Sequence, residues 1–389
     1  MSLIAEIVEN KEVLEKWRHH LHAIPEIAFD EEKTAQFVEQ KLASFGVTVH
    51  PRIAGTGVVG SVSAHFGDNN KASKSIALRA DLDALPMVEK TGLSYCSTHS
   101  GMMHACGHDG HVAMLLGAAQ YLSQHRNFNG TVYFVFQPAE ENEGGGRALV
   151  EQGFFKKFPI DAIYGMHNWP GLDAGKFAIR SGPVMAAYDV FDISINGKGG
   201  HAATPHKTID PIVIAGQMIT ALQSISSRQC NPQDAVVVSI TRVHAGDSYN
   251  VIPETAHLSG TVRTFNHQVQ DEISSQLEQL VKGICEAYGA TADIDYQKRY
   301  PATINSAIET ENAAQAAMEV VGNANIIRDN PPSMGSEDFS FLLNESKGCY
   351  VSIGNGEGAS LHNPYYHFND DILPIGASYW VKMVQQQLR

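Results

Sequence analysis

Apolar residues recur along this chain with two different periods, and each period predicts one kind of secondary structure. Spacings of three and four residues predict helices over 9–24 and 31–45, and a more continuously apolar segment predicts a helix over 111–122. The apolar run 131–136, in the stretch GTVYFVFQPAEE, predicts a buried strand that Pro138 ends. Because strands and helices alternate, we expect a parallel or mixed sheet with helices on both faces.

The pattern changes near Gly182. Strands predicted in YDVFDISI, AVVVSITRV, HLSGTVRTF and ADIDYQ alternate with helices over 209–226 and 267–287. This order, β-α-β-β-α-β, is typical of the ferredoxin-like split arrangement. Beyond about residue 300 the pattern returns to helix, strand and helix.

These two patterns predict two domains, which also suits a length of 389 residues. An α/β domain, with a mixed sheet flanked by helices, consists of 1–183 and 299–389. An α+β domain, 184–298, is inserted into it.

The composition excludes several classes of partner. Hydrophobic residues make up 43% of the chain and charged residues 18%, which is typical of a globular protein. The formal net charge of −14 argues against nucleic acid or an anionic membrane as a partner, since either would require a basic patch. No window approaches the roughly 20 apolar residues that a transmembrane helix needs.

The cysteines and the N-terminal sequence indicate in which cellular compartment the protein is expected. The five cysteines are odd in number and scattered, so we expect no disulfide framework. The N-terminal stretch MSLIAEIVENKEVLEKW carries acidic residues where a signal peptide carries basic ones. We therefore expect a cytoplasmic protein.

Polar side chains gather where the predicted strands of the first domain end. Asp81 and Asp83 follow one strand, Glu140 and Glu141 follow the next, and His167 ends a third. In open α/β sheets, sites form at the carboxyl ends of the strands. These residues are therefore candidates for one common site.

The loop MHACGHDGH supplies two more candidates, Cys106 and His108. Thiolate and imidazole suit borderline metals such as Zn, Ni, Co or Mn, and Gly107 and Gly110 would let the loop turn both side chains inward. The alternatives for this stretch are a histidine-rich surface loop and a redox or nucleophilic cysteine.

The adjacent glutamates Glu140 and Glu141 could have two different roles in one site. One of Glu140 and Glu141 would bind metal, and its neighbour would act as a general base on a metal-bound water. A solvated turn is the alternative for this pair. The combined ligand set has five members, which exceeds one tetrahedral site and fits two ions that share a bridging ligand. That set consists of Cys106, His108, one of the two glutamates, His167 and His362.

Three residues of the inserted domain could act on a substrate. His201, in GKGGHAATPH, could polarise a carbonyl or stabilise an oxyanion, although it could also be a surface histidine. Arg263, in GTVRTF, is a potential partner of a carboxylate, and strand alternation turns its neighbours Val262 and Thr264 to the other face. Asn250 could supply an amide hydrogen bond.

Taken in order, the motifs of this chain resemble those of the di-metal aminoacylase and carboxypeptidase superfamily. The branch they most resemble contains hippurate hydrolases, N-acyl-amino-acid amidohydrolases and hydrolases of auxin–amino acid conjugates. The resemblance extends from about residue 18 to the C-terminus. The motifs are HAIPEIAFDE, RADLDALP, MHACGHDGH, FQPAEE, GMHNWP, GKGGHAATPH, YNVIPETAHLSGTVRTF, MGSEDF and SLHNPYYHF.

The resemblance implies a catalytic domain like those of zinc exopeptidases and an inserted lid domain that dimerises. It implies that Cys106 bridges two divalent ions and that Glu140 is the general base. His201 would reach an active site, that of the partner subunit in a homodimer, and Arg263 and Asn250 would hold the substrate carboxylate. The implied metal ligands are Cys106, His108, Glu141, His167 and His362.

The chain departs from many members of the superfamily at two ligand positions. Asp81 stands where many relatives carry a ligating histidine, and we expect His108 to replace it from the next loop. Cys106 stands at a bridging position where many relatives carry aspartate. Both changes follow the amidohydrolase branch, and they leave the identity of the metal open among Mn, Zn, Co and Ni. Asp83 is assigned to the support of a ligand.

The expected activity is hydrolysis of the amide bond of an N-acyl amino acid to a carboxylic acid and a free amino acid. A dipeptidase or carboxypeptidase would fit the same scaffold. Two further alternatives are a thiol hydrolase with Cys106 as nucleophile and a metal-dependent binder of acyl amino acids without turnover.

Overall fold

A computed structural model describes residues 2–65, 74–141 and 144–389. Within these ranges the helices are α1 (Ala5–Glu9), α2 (Lys11–Ala23), α3 (Glu32–Ser44), α4 (His108–Gln124), α5 (Gly145–Glu151), α6 (Phe154–Lys157), α7 (Pro211–Ser224), α8 (His267–Ala287), α9 (Ala307–Val321), α10 (Phe339–Glu345) and α11 (Leu373–Gln387). The strands are β1 (Thr48–Ile53), β2 (Gly57–Ala64), β3 (Lys74–Asp81), β4 (Gly130–Gln137), β5 (Ala162–Pro170), β6 (Phe177–Ala178), β7 (Gly182–Met185), β8 (Ala187–Asn196), β9 (Gly200–His201), β10 (Val236–His244), β11 (Val251–Ile252), β12 (Thr255–Thr264), β13 (Thr291–Tyr300), β14 (Thr303–Asn305), β15 (Ile326–Ile327) and β16 (Gly348–Gly356).

The chain divides into two compact units. The larger unit consists of Met1–Val184, Ile304–Pro331 and Asp338–Arg389. The smaller unit consists of Met185–Thr303 and Pro332–Glu337, the second of which the predicted boundaries assign to the other domain. The roles of lid and dimerisation domain stay predictions.

The larger unit is built on an eight-stranded mixed sheet in the order β1-β2-β4-β3-β5-β16-β6-β15. Strands β4, β3, β5 and β16 are neighbours and run parallel. Their carboxyl ends therefore meet at one edge of the sheet, where α/β proteins place their sites. This sheet, flanked by helices, confirms the predicted α/β class.

Helix α4 lies in the core of the larger unit and begins three residues before the predicted start at residue 111. Gly107 precedes it with a positive φ of 90°. A Cβ atom at Gly107 would lie 2.3 Å from Nδ2 of Asn168 and 2.5 Å from the hydroxyl of Tyr366. Glycine is thus required here for both conformation and space, and it places His108 in the first turn of the helix.

The smaller unit contains a four-stranded antiparallel sheet in the order β10-β12-β8-β13. Alternate residues of β8, among them Phe191, Ile193 and Ile195, are buried in an apolar cluster with residues of α7 and α8. Strand β12 lies between β8 and β10, which is the strand order of a split β-α-β arrangement. A separate two-stranded ribbon joins β9 and β11.

Within the described parts of the chain, no helix is both long enough and apolar enough to span a membrane.

Candidate metal centre

The five predicted metal ligands lie together in the larger unit, in two overlapping groups. The ligand atoms of Cys106, His108 and His167 are within 4.8 Å of one another. Those of Cys106, Glu141 and His362 form a second group within the same distance. Cys106 belongs to both groups, so its sulfur lies where a shared ligand would lie.

Four of the predicted ligands come from the sheet edge or from loops beside it, and His108 comes from the first turn of α4. Glu141 follows β4, and His167 lies inside β5, which continues to Pro170 rather than ending at the histidine as predicted. His362 lies in the loop after β16, with a backbone φ of 60°, and its N–H donates to the carbonyl of Ala105 at 2.9 Å. This hydrogen bond ties the last ligand to the loop that carries Cys106.

Backbone carbonyls orient the imidazoles of His108 and His167. The Nδ1–H of His167 donates to the carbonyl of Asn168 at 2.6 Å, which leaves Nε2 facing the Sγ of Cys106 at 3.3 Å. The Nδ1–H of His108 donates to the carbonyl of Asp83 at 2.8 Å, and its Nε2 lies 3.9 Å from Oε1 of Glu141. Both rings therefore turn a nitrogen lone pair toward the cluster, the arrangement that metal-binding histidines require.

Burial and nearby carboxylates shift the pKa of two members of the cluster. Burial and then the carboxylates of Glu141 and Glu140 raise the pKa of the Cys106 thiol well above its ordinary value. Burial alone would lower the pKa of His108, but Asp81 and Asp83 outweigh it and raise this pKa to about 10. The negative potential that stabilises the protonated form of His108 also attracts a metal cation, which competes with the proton for the imidazole.

The donor set fits divalent metal ions. Among the described residues, Nε2 of His108 and Oε1 of Glu141 are buried without a hydrogen-bond partner. Buried polar atoms without a partner are costly, and two metal-ligating atoms pointed at one space gain a partner when a cation binds. Sulfur, imidazole and carboxylate together suit borderline transition metals.

Glu140 and Asp83 stand beside the ligands in different ways. Glu140 is buried, its carboxylate lies within 4.8 Å of the ligand atoms of His108 and Glu141, and its Oε1 accepts the N–H of Asp338 at 3.5 Å. Oδ2 of Asp83 accepts a hydrogen bond from the N–H of Glu141 at 2.9 Å. The backbone carbonyl of Asp83 accepts a hydrogen bond from the Nδ1–H of His108. Asp83 thus contacts two predicted ligands, in the geometry of a supporting residue.

Sequence reasoning missed a buried polar network behind the ligands. The Nδ1–H of His111 donates to Asp81 at 2.6 Å, while its Nε2 accepts the backbone N–H of Asn168 at 3.0 Å. The amide of Asn168 donates to the carbonyl of Cys106 at 2.6 Å and accepts the hydroxyl of Tyr366 at 2.6 Å. Asn168 therefore contacts the segments that carry Cys106 and His167.

Asp81 takes part in a buried ion pair. Asp81 accepts a hydrogen bond from Nη1 of Arg79 at 2.5 Å, and Nη2 of Arg79 forms an ion pair with Asp338 at 3.0 Å. The signal for Asp81, His111 and Asp338 was present in the motifs RADLDALP, MHACGHDGH and MGSEDF. No pattern distinguished Asn168 from any other polar residue.

The three predicted substrate residues lie in the smaller unit. His201 and Asn250 are exposed and close together, because the N–H of Ala202 donates to the carbonyl of Asn250 at 3.0 Å. Arg263 is half-buried, with its guanidinium 4.1 Å from the ring centroid of Tyr188 and Nη1 donating to the hydroxyl of Ser336 at 3.1 Å. No carboxylate lies within 4.0 Å of Arg263 among the described residues.

Residues 77–386 match the model of peptidase family M20/M25/M40. The chain belongs to this family. It is 41% identical over 389 residues to a hippurate hydrolase of Campylobacter jejuni, covering 100% of both chains. It is 35% identical to thermostable carboxypeptidase 1 of Saccharolobus solfataricus, covering 97% of both. The crystal structure of a dinuclear metal-binding M20 peptidase of Bacillus subtilis matches with a TM-score of 0.86 and 34% identity, covering 98% of this chain and 99% of that one.

Membership of the M20 family confirms the resemblance that the motifs predicted, and with it the fold class and the class of enzyme, a hydrolase of amide bonds. The family match begins at residue 77, within β3, and runs into α11. It therefore includes all five predicted metal ligands.

Proposed function

We propose that this chain hydrolyses the amide bond of N-acyl amino acids, with two divalent ions held by the five predicted ligands. The observation that carries the proposal is the pair of three-ligand groups that share Cys106, with the buried carboxylate of Glu140 beside them. The similarity to a hippurate hydrolase over the full length, and to a dinuclear metal-binding peptidase, supports this choice of substrate and cofactor.

The metal ligands divide into two sets around the shared sulfur. Cys106, His108 and His167 would hold one ion, and Cys106, Glu141 and His362 would hold the other. When bound, the two ions supply positive charge that polarises the substrate carbonyl and lowers the pKa of the attacking water. The side chain of His362 is 54% exposed, which leaves the second set open to an incoming substrate.

Glu140 acts as the general base. Its carboxylate lies beside the ligands, so it accepts a proton from the attacking water and returns that proton to the nitrogen of the leaving amino acid. The N–H of Asp338 at 3.5 Å helps to hold this carboxylate in place.

The smaller unit supplies groups for the substrate. Arg263 binds the free α-carboxylate through its guanidinium, because within the described residues it has no protein carboxylate as an ion-pair partner. Asn250 adds an amide hydrogen bond, and His201 stabilises the oxyanion, from the partner subunit of a homodimer. A substrate with a free α-carboxylate is therefore preferred.

A carboxypeptidase activity is the second candidate, and the similarity to a thermostable carboxypeptidase favours it. It uses the same catalytic groups, since a peptide with a free C-terminus is also an N-acyl amino acid. The thiol hydrolase fits the site less well. Burial, followed by the carboxylates of Glu141 and Glu140, raises the pKa of the Cys106 thiol well above its ordinary value, which disfavours the thiolate that such an enzyme uses as nucleophile.

A substrate panel on metal-stripped protein tests the proposal. Protein reloaded with Mn, Zn, Co or Ni is assayed with N-benzoylglycine, N-acetyl amino acids, indole-acetyl amino acids and dipeptides. We expect hydrolysis only after metal addition, and a large loss for N-benzoylglycine methyl ester, which lacks the carboxylate. Turnover that resists chelators and stops on thiol alkylation would support the thiol hydrolase instead. Binding without product release would support the non-catalytic binder.

A further inference from the structure

The turn that carries Glu140 has an unusual backbone. Strand β4 ends at Gln137, Pro138 has no N–H to donate, and Ala139 has a positive φ of 56°. Residues with a Cβ atom avoid this left-handed region unless the surrounding structure holds them in it. The direction of Glu140 therefore depends on whatever fixes Ala139.

Two carboxylates hold this turn, one on each side of Glu140. Oε1 of Glu31 accepts the N–H of Ala139 at 2.8 Å. Oδ2 of Asp83 accepts the N–H of Glu141 at 2.9 Å. The two hydrogen bonds hold the backbone amides immediately before and after Glu140.

Glu31 is fully buried and reaches the turn from a segment 108 positions earlier in the chain. Its other oxygen accepts the hydroxyl of Thr56. Burial raises the pKa of Glu31 to about 7, which shows that its carboxylate is costly to keep there. The residue belongs to the motif HAIPEIAFDE, which the proposed chemistry does not use.

We propose that Glu31 is a positioning residue that keeps Ala139 in its left-handed conformation and so aims the Glu140 carboxylate. The inference rests on the proposed role of Glu140 as general base. Glu31 contacts neither the substrate nor the predicted metal ligands, and it acts through the backbone. Its loss should therefore lower kcat and leave KM and metal content nearly unchanged.

Two substitutions of Glu31 separate the hydrogen bond from the rest of the side chain. Glu31→Met keeps the length of the side chain but removes both acceptors. Glu31→Gln keeps an oxygen for Ala139, and its NH₂ can donate to the hydroxyl of Thr56. We expect kcat to fall about 10- to 100-fold in Glu31→Met, the scale of a small misplacement of a catalytic group, and to stay within about threefold in Glu31→Gln.

A second-site change provides a rescue that a merely structural role would not allow. Glycine adopts positive φ without a steric penalty, so Ala139→Gly should restore at least about fivefold of the lost kcat in the Glu31→Met background. A folded, metal-loaded Glu31→Met protein with normal kcat would overturn the proposal. So would a loss that Ala139→Gly leaves uncorrected, or a loss caused by release of metal.

Hydrogen exchange gives a readout that does not depend on activity, and part of it uses only the unaltered protein. The amide of Ala139 should exchange slowly in the unaltered protein and in Glu31→Gln, and fast in Glu31→Met. Fast exchange at Ala139 in the unaltered protein would overturn the proposal even if Glu31→Met failed to fold. A Glu140→Gln protein with normal turnover would instead refute the proposed function, whatever the exchange rate of Ala139.

Discussion

The Nε2 atom of His167 lies 3.3 Å from the Sγ atom of Cys106, and both side chains are buried. The opposite side of each residue is fixed, since the Nδ1–H of His167 donates to the carbonyl of Asn168 and the carbonyl of Cys106 accepts the amide of Asn168. The two donor atoms are thus held toward each other by one neighbouring residue. This geometry suits a shared metal ion, and it leads to the first two predictions.

Cys106→Ser should weaken metal binding. The alcohol of serine is a poor substitute for a thiolate toward borderline metals, so we expect at least about a tenfold loss of affinity, with less than two equivalents retained after dialysis. Cys349→Ser is the matched control, because Cys349 is also buried in the larger unit but lies outside the ligand groups. Metal content measured by elemental analysis checks the prediction. Two tightly bound equivalents in Cys106→Ser would contradict it.

Asn168→Asp should also weaken metal binding, although Asn168 is not a predicted ligand. An aspartate would turn an acceptor toward the carbonyl of Cys106 and toward Nε2 of His111, where the amide now donates. We expect a loss of about 10- to 100-fold in metal affinity, which is typical of residues that support a ligand. Tyr366→Phe, which removes one hydrogen bond to Asn168, should have a smaller effect, and Tyr365→Phe at an exposed position should have none. Unchanged affinity in Asn168→Asp, measured by competition with a chelator, would refute this role.

Subunit exchange tests the role of His201. If His201 acts in the partner's site, mixing His201→Ala with Glu140→Gln protein creates dimers with one complete site. About a quarter of normal activity should then return after random exchange between two-fold symmetric dimers. The control mixes Glu140→Gln with the double variant Glu140→Gln/His201→Ala, which cannot form a complete site. No recovery despite proven exchange would show that His201 acts within its own chain or has no catalytic role.

The stability of the larger unit should fall at alkaline pH because of His22. Burial disfavours its charged form, but Asp109 and then Glu89 outweigh burial and raise the pKa of His22 to about 9. A raised pKa contributes stability below the ordinary value of about 6.5, and that contribution disappears as the pH rises through about 9. The free energy of unfolding should therefore decline over this interval with a slope of up to about 1.4 kcal/mol per pH unit.

Unfolding midpoints at a series of pH values check this prediction. His22→Gln should remove the decline, whereas His20→Gln, an exposed position on the same helix α2, should retain it. A decline that persists in His22→Gln would assign the alkaline sensitivity to another group.

The five predicted ligands could be named from the sequence because strand ends and motifs carry them, and the structure brings them together. Cys106, His108, Glu141, His167 and His362 have metal-ligating side chains, and parallel strands bring their carboxyl ends to one edge. The start of α4 at His108 could not be predicted from the sequence. The stretch GHDG has no apolar period, and the start depends on the conformation of Gly107, which packs against Asn168.

The supporting residues could not be predicted from the sequence, for a different reason. Glu31 and Asn168 act through hydrogen bonds to backbone groups 108 and 62 positions away in the chain. No periodicity or composition encodes such contacts, because they exist only once the segments have packed. The charge of Glu31 looks like that of a surface residue until its burial is known.

The adjacent glutamates offer the most direct test of the account. Glu140→Gln and Glu141→Gln are matched variants, since each replaces one carboxylate oxygen and they differ in position by one residue. For each variant, kcat and bound metal are measured on the same sample. We predict that Glu140→Gln keeps two equivalents of metal and loses about two or more decades of kcat, whereas Glu141→Gln loses metal. Near-normal turnover by metal-loaded Glu140→Gln would contradict the account.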